Sequence, residues 1–442
     1  MDPIRASAPL GPQLQPQVNR GWWGIFIAGF AVGVIGLVGL VRNAEGANTQ
    51  VYQGVGFLIA AMFISYISLR WIDSWTRASV GIYLAAHILV AVAAGLVYSS
   101  PWEAIMRYVL LLPMLALMLG VVELGPAAVN ALRAGLTAAA FAAVLYSLLH
   151  IDMGRLVDPK YRGVDNYLNP NSLGYYSAIC GISFLDYAIK RLQEYGSQRK
   201  FGTVMRFGGF ALCVVSILAT KSRTAALAFV VGALTECVLV LGFKKTLLIA
   251  LGPALIVLLA LPGFLGSAGD WIATVFEFND RYRSIGSATG RIDSWMITLT
   301  RIWPPHWAIG TGPGMHAVYG QQWDLQFVSA HNALLVNLAE TGIVGTLPLL
   351  AILIGCARNV RWAAYDPARR FAAVIFAAAV AESMFEPTLF SIGNAGGLLV
   401  LLSIAVLGRA RTDMYREYLE SADAQSDQMA GQYAGAGVGF TA

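Results

Sequence analysis

The run HNALLVNLAETGIVGTLPLLAILIGCA, residues 331–357, decides the fold class of this chain. Its length suits a helix that crosses a bilayer, for which about 20 mostly apolar residues are needed. The composition agrees, because 57% of the 442 residues are hydrophobic and only 12% are charged, whereas a soluble domain has about 25% charged residues. Too little polar surface remains to cover a water-soluble globule of this size, so lipid must be the solvent.

Eleven further apolar runs are comparable in length to the first, and together they predict about twelve transmembrane helices. Each run is expected to be helical, because lipid cannot satisfy an open backbone. The predicted spans are 22–41, 54–70, 79–98, 105–124, 128–150, 172–190, 203–220, 223–243, 246–264, 331–357, 371–390 and 393–409. The predicted fold class is therefore an all-α polytopic membrane protein, with a transmembrane domain over 22–409 between the tails 1–21 and 410–442.

The lysines and arginines predict how these spans are oriented. With the N-terminus in the cytoplasm, the inner segments hold 19 of the 30 basic residues, and the short loops 190–206 and 358–370 are the most biased. Positive residues favour the cytoplasmic side, so both tails are predicted to be cytoplasmic. Topology then explains the net charge of +5 without nucleic-acid binding. Only two predicted outer loops are long, namely 151–171 and 265–330.

The longer outer loop, 265–330, has the composition of an ordered subdomain, since it contains ten aromatic residues. Its segment TGRIDSWMITLTRIW, residues 289–303, places apolar side chains at helical spacing. This pattern predicts an amphipathic helix on the outer leaflet or over a cavity. Arg291 falls in the first helical turn, where a cation gains nothing from the helix dipole. Either an anion binds nearby, or Arg291 is an ordinary surface arginine.

A glycine-rich segment, AIGTGPGMHAVYG, follows at 308–320. The alternating glycines, with Gly312 in the middle, can expose backbone N–H groups to a phosphate. The same pattern is also typical of a tight return loop, and both interpretations stay open. Gly312 is therefore a candidate binding residue.

His331 and Asn332 are predicted to lie at the mouth of the tenth span, where water meets the start of the helix. A neutral imidazole there can accept a proton at neutral pH. Glu340 follows nine residues later, about 13 Å deeper at 1.5 Å per residue and on the opposite helix face. It cannot pair with His331 directly, and we expect a structural role for it.

Basic residues at the other outer segments complete the candidate set. Lys221 and Arg223 open the eighth span, either as snorkelling cations or as an anion clamp. Arg155 and Arg162 lie in the loop 151–171. Arginine binds phosphate through a bidentate fork, and the sequence has no cluster of metal ligands at the usual spacing. The site is thus predicted to bind a lipid-linked phosphate or pyrophosphate without a metal or other cofactor.

Four motifs in this order resemble the O-antigen ligase/Wzy polymerase superfamily. They are SRTA (222–225), GRIDSW (290–295), GTGPG (310–314) and HNALLVNLAETGIVG (331–345). The plan of about twelve spans with one major outer loop resembles the O-antigen ligases. The resemblance implies a GT-C-like enzyme of the bacterial inner membrane. It would move a glycan from undecaprenyl pyrophosphate to a sugar hydroxyl of the lipid A–core oligosaccharide on the periplasmic side.

The same resemblance implies roles for individual residues. His331 would be the general base, and Arg223 and Arg291 would stabilise the leaving pyrophosphate. The reaction would be a single displacement that inverts the anomeric centre. The predicted substrate-binding residues are Lys221, Asn332, Arg162, Arg155 and Gly312.

Three alternatives remain at this point. The first two, an O-antigen polymerase and a protein O-oligosaccharyltransferase, use the same donor with a different acceptor. The third is a secondary transporter, in which buried acids line a central site. It is kept open by acids within or near spans, namely Glu236, Glu340, Glu382 and Glu386. The sequence does not predict the oligomeric state.

Overall fold

The computed structural model describes most of the predicted membrane domain as helices. The described residues are 20–38, 79–151, 170–195, 200–247, 291–324, 327, 329–365, 367–387, 389 and 395–408. Their secondary structure is helical throughout, with no β-strand in this part of the chain. The fold class predicted from the sequence, an all-α polytopic membrane protein, agrees with this architecture.

Thirteen α-helices are used below, numbered along the described part of the chain. They are α1 (Arg20–Val38), α2 (Ser79–Val97), α3 (Trp102–Val109), α4 (Leu111–Glu123), α5 (Pro126–Leu149), α6 (Pro170–Tyr195), α7 (Lys200–Thr220), α8 (Arg223–Leu241), α9 (Arg291–Ile297), α10 (Met315–Gln321), α11 (Ala333–Asn359), α12 (Pro367–Ser383) and α13 (Ala395–Leu407). A π-helical turn, Thr298–Ile302, continues α9, and two 3-10 turns lie at Pro304–His306 and Val360–Tyr365.

Five helical stretches of the described chain are long and apolar enough to cross a membrane. They are Ala104–Glu123, Pro126–Leu149, Phe201–Thr220, Arg223–Leu241 and Ala333–Ala363. Three shorter apolar helices are Trp23–Val34, Gly81–Val97 and Gly396–Leu407. The predicted span 54–70 and residues 248–264 of the predicted span 246–264 lie outside the described residues, and the number of twelve spans stays a prediction.

The eleventh predicted span, 371–390, is wrong at its C-terminal end. Helix α12 ends at Ser383, and the chain then turns through 384–387. Pro387 explains the early end, since a proline disfavours helical backbone in the residue before it. This turn leaves Glu386 at the end of the helix rather than within it.

Neighbouring helices pack in antiparallel fashion, chiefly α1 with α5, α6 with α7, α8 with α12 and α2 with α11. At one end of the bundle α5, α7 and α12 finish, while α6, α8 and α11 begin. We call this the His331 end. Helices α9 and α10 belong to the same end, because they pack near the segment that leads into α11.

Toward the opposite end, a buried ionic cluster ties four helices together. Asp186 of α6 pairs with Arg133 of α5, and it lies 3.4 Å from Nη2 of Arg370 in α12. Nε of Arg370 also lies 3.2 Å from Oε1 of Glu236 in α8. Two positive and two negative side chains thus compensate each other away from water, as buried charges require.

Helix α11 contains a break at Gly342, which has φ 59° and ψ −167°. The return loop Trp307–Gly312 fills this break with backbone hydrogen bonds. The N–H groups of Thr311 and Gly312 donate to the carbonyls of Ala339 and Glu340, at 2.7 and 3.0 Å. In the other direction, the N–H groups of Ile343 and Val344 donate to the carbonyls of Trp307 and Ala308, at 2.9 and 3.1 Å.

The Glu340 side chain holds the residues that directly follow this loop. Its Oε1 accepts the N–H of Gly314 at 2.8 Å and lies 2.7 Å from Nδ1 of His316. Its Oε2 accepts the hydroxyl of Tyr108 at 2.6 Å. Glu340 therefore has the structural role that its position in the sequence predicts, joining the loop, α10 and α3.

The break makes a testable prediction for Gly342→Ala. A Cβ at this position would lie 2.3 Å from the carbonyl oxygen of Ala308, in a backbone conformation with positive φ. Because left-handed backbone and overpacking add, we expect a loss of about 2–5 kcal/mol in unfolding free energy. The measurement is unfolding of the purified protein in detergent.

Gly355→Ala is the matched control on the same helix. Nothing lies within 4 Å of its Cβ position, and alanine favours a helix over glycine by about 0.5–1 kcal/mol. Equal stability of the two variants would show that the loop does not depend on the break.

Candidate active site

A single carboxylate, that of Glu386, gathers side chains from three separate parts of the chain at the His331 end. Its Oε1 accepts hydrogen bonds from Nη2 of Arg291 at 2.6 Å and from Nδ2 of Asn171 at 3.0 Å. Its Oε2 faces Nδ1 of His331 at 3.6 Å. The structure thus brings together Arg291 and His331, which the sequence separates by 40 residues.

Arg291 is held at the first position of α9, over the turn that follows α12. Its guanidinium carbon lies 5.9 Å from the ring centre of Phe385, and its side chain is only 15% exposed. Burial lowers the pKa of the Arg291 guanidinium, and the charge of Glu386 opposes that effect. An arginine stays charged at neutral pH, so the anion expected near Arg291 is, in this structure, Glu386.

Trp295, one turn further along α9, fixes this helix to the segment before His331. Its indole N–H donates to the carbonyl of Ala330 at 2.7 Å, and its ring lies 6.0 Å from that of Phe385. The sequence predicted a helix here that lies on the membrane or over a cavity. The structure shows α9 packed across the mouth of α11, with Arg291 facing inward.

His331 has a strained backbone directly before α11. Its φ is 47°, which is uncommon for a residue other than glycine. Its N–H donates to Oγ of Ser329 at 3.2 Å, which supports the turn. The side chain is 38% exposed, although its Nδ1 is buried. The accessible part of the ring is therefore the side away from Nδ1.

Asn332 caps α11 and connects it to the end of α12. Its Oδ1 accepts the N–H groups of Leu334 and Leu335 at 3.0 and 3.1 Å, as an N-cap asparagine does. Its Nδ2 donates to the carbonyl of Met384 at 3.0 Å. These contacts give Asn332 a structural role beside His331, while a direct contact with substrate stays a prediction.

Gly312 belongs to the return loop that fills the break in α11. Its N–H already donates to the carbonyl of Glu340, and a Cβ would lie 2.4 Å from Oγ of Ser100. Of the two interpretations that the sequence left open, the tight return loop matches the structure. The predicted phosphate contact of Gly312 is not available while this hydrogen bond is made.

Lys221 lies in the turn between α7 and α8, and Arg223 begins α8, also at the His331 end. Lys221 is only 4% exposed, so it does not lie along the surface as a snorkelling lysine would. Ser222 caps α8, because its Oγ accepts the N–H of Ala225 at 3.4 Å. A Cβ at Gly174 of α6 would lie 2.9 Å from Cβ of Ser222, so the turn packs closely against α6.

Helix α6 thereby links this turn to Glu386, because Asn171 near its start donates to the carboxylate. Arg223 is the first residue of α8 and therefore lies at the same end as Arg291 and His331. Arg155 and Arg162, also predicted to bind substrate, lie outside the described residues, and their role stays a prediction.

Residues 208–350 match the family model described as O-Antigen ligase. This match supports membership of the O-antigen ligase superfamily. The matched segment contains Lys221, Arg223, Arg291, Gly312, His331 and Asn332. The match supports membrane glycan transfer of the ligase or polymerase type in broad terms, and the family implies lipid-linked glycan and lipid A–core as partners in general. No curated protein matches the chain significantly.

Glu386 lies beyond the matched segment, and the sequence did not single it out for the site. It entered only among the acids compatible with a transporter. One signal is present in the sequence, since Glu386 directly precedes Pro387 at the end of an apolar run. A proline disfavours helical backbone in the residue before it, so this position indicates a helix end.

Two variants of Asn332 test how the start of α11 is held. Serine keeps a capping oxygen and loses the amide that reaches Met384, whereas alanine loses both. We expect Asn332→Ala to cost about 1–2 kcal/mol of unfolding free energy, measured in detergent, and Asn332→Ser to cost clearly less. Equal losses would assign the stabilisation to the Met384 contact rather than to the cap.

Proposed function

We propose that this protein is an O-antigen ligase of the bacterial inner membrane. It transfers a glycan from undecaprenyl pyrophosphate to a sugar hydroxyl of the lipid A–core oligosaccharide, on the periplasmic side and without a metal. The observation that carries the proposal is the convergence of Arg291 and His331 on Glu386. A partly exposed imidazole beside a charged arginine suits a proton acceptor next to an anionic leaving group.

In the proposed reaction, His331 takes the proton from the acceptor hydroxyl. The hydroxyl oxygen then forms a bond to the anomeric carbon of the glycan, while the bond from that carbon to the pyrophosphate oxygen breaks. The displacement inverts the anomeric centre, and undecaprenyl pyrophosphate leaves with the electron pair. Arg291 and Arg223 stabilise the developing negative charge, and the proton on His331 passes to solvent.

The contacts of the buried acids weaken the transporter alternative. Glu236 pairs with Arg370, and Glu340 accepts hydrogen bonds that hold the return loop. Glu386 binds Arg291. These protein partners account for the presence of Glu236, Glu340 and Glu386 without a transported ion.

His331→Ala tests the role of the base. Loss of a general base lowers the rate by about 10²–10⁴-fold, so we expect a decrease of that size in transfer from a lipid-linked glycan to rough lipopolysaccharide. His150→Ala is the matched control, because His150 lies at the same end, where α5 finishes, and contacts the carbonyl of Tyr146. Normal transfer by His331→Ala would contradict the assignment.

The acceptor in this assay separates the proposed function from its relatives. Product with rough lipopolysaccharide alone indicates a ligase. Growth of the lipid-linked glycan indicates a polymerase, and transfer to a polypeptide hydroxyl indicates a protein O-oligosaccharyltransferase. A wild-type protein that gives none of these products contradicts the proposed function.

Lysine substitutions test the two arginines, because lysine keeps the charge and loses the bidentate fork. We expect Arg291→Lys and Arg223→Lys each to lower transfer by about tenfold or more, as the loss of one charge-stabilising contact does. Arg301→Lys is the control, since Arg301 stacks on Trp323 at 4.7 Å in the same outer segment. Wild-type rates for both test variants would exclude bidentate contact with pyrophosphate.

A further inference from the structure

We infer that Glu386 is a positioning residue that acts through His331, and this inference rests on the proposed function. The carboxylate divides its two oxygens between different partners. Oε1 is occupied by Arg291 and Asn171, at 2.6 and 3.0 Å. Oε2 points toward Nδ1 of His331, at 3.6 Å. One carboxylate thereby anchors itself with one oxygen and offers the other to the proposed base.

The placement of Glu386 is rigid, as a positioning residue requires. Its backbone N–H donates to the carbonyl of Glu382 at 3.0 Å, and its side chain is only 10% exposed. The carboxylate is held by Asn171 from α6 and by Arg291 from α9. Arg291 compensates the charge of this largely buried carboxylate.

The geometry of the imidazole is complementary. Nδ1 of His331 is buried, whereas 38% of the side chain is exposed. A carboxylate beside Nδ1 favours the tautomer that carries its proton there. Nε2, on the other side of the ring, then keeps its lone pair for the acceptor hydroxyl. The same carboxylate stabilises the imidazolium that forms when the proton arrives.

The separation of 3.6 Å is longer than a hydrogen bond, which ends near 3.2 Å. A movement of about 0.5 Å would close it. Catalytic hydrogen bonds are often long before substrate binds and shorten in the substrate complex. Glu386 is thus placed to complete its contact with His331 when the acceptor and donor are both present.

A double-mutant cycle tests this inference in the full-length protein. Transfer to rough lipopolysaccharide is measured for wild type, Glu386→Gln, His331→Ala and the double variant. We expect Glu386→Gln to lower kcat by about 100-fold and to leave KM for the acceptor nearly unchanged. The double variant should be no slower than His331→Ala, because the carboxylate then has no base to act on.

Glu386→Asp extends the cycle, because it keeps the charge on a shorter side chain. We expect it to retain more activity than Glu386→Gln, and its combination with His331→Ala should again show no added loss. If Glu386→Gln does not fold, the aspartate variant alone completes the cycle. Asp293→Asn is the control, since it neutralises an exposed carboxylate two residues from Arg291.

Chemical modification of His331 tests the role of Glu386 without a measurement of glycan transfer. Diethyl pyrocarbonate modifies neutral imidazole, and mass spectrometry reports the modification of His331 separately. A carboxylate beside Nδ1 favours the tautomer whose Nε2 lone pair is on the accessible side of the ring, so we expect slower modification of His331 in Glu386→Gln than in wild type. Asp293→Asn should not change the rate.

The outcomes separate the two proposals. A wild-type protein that transfers no glycan contradicts the proposed function, and the modification rates then decide the inference alone. An active wild type with losses that multiply in the double variant, or with a loss confined to KM, overturns the inference. Unchanged kcat in Glu386→Gln overturns it as well.

Discussion

The break in α11 at Gly342 is the constraint on which the rest of the site depends. Four backbone hydrogen bonds with Trp307–Gly312 satisfy the groups that the break exposes. An unsatisfied backbone group costs several kcal/mol in lipid, so α11 depends on the hydrogen bonds of the loop. The same hydrogen bonds fix the loop on the helix bundle. The chain enters this loop after α9 and continues from it toward His331. As a result, α9 before the loop and His331 after it both lie near the start of α11.

Charges at the two ends of the bundle serve different purposes. Asp186, Arg133, Arg370 and Glu236 compensate one another within the helices, which favours a role in holding four helices in register. At the His331 end, Glu386 compensates Arg291, but the imidazole beside it remains partly open. A proton acceptor must meet its substrate, whereas a structural ion pair need not. Exposure thus distinguishes the candidate site from the buried cluster.

The sequence predicts local features of this site better than its long-range pairings. The apolar run after His331 predicts α11, and the motif at 290–295 indicates Arg291. The contact between Arg291 and Glu386 spans 95 residues, and no local pattern indicates it. Similarly, alternating glycines do not reveal whether an N–H faces a ligand or, as in Gly312, a helix carbonyl. The break at Gly342 is hidden because an isolated glycine within an apolar helical run does not by itself end the helix.

The strained backbone of His331 explains why Ser329 and Asn332, on either side of it, have structural roles. A residue with φ 47° costs about 1–3 kcal/mol and persists only where its surroundings determine it. Asn332 begins the helix immediately after it, and Ser329 accepts its N–H. These contacts fix the backbone position from which the His331 ring extends. In the proposed arrangement, Glu386 contacts Nδ1 alone. The position of the proposed base is therefore set by its backbone and by the helix cap, while its proposed chemistry depends on a carboxylate from the turn after α12. Substitutions at Asn332 and at Glu386 should consequently differ in kind, since the first changes stability and the second changes turnover.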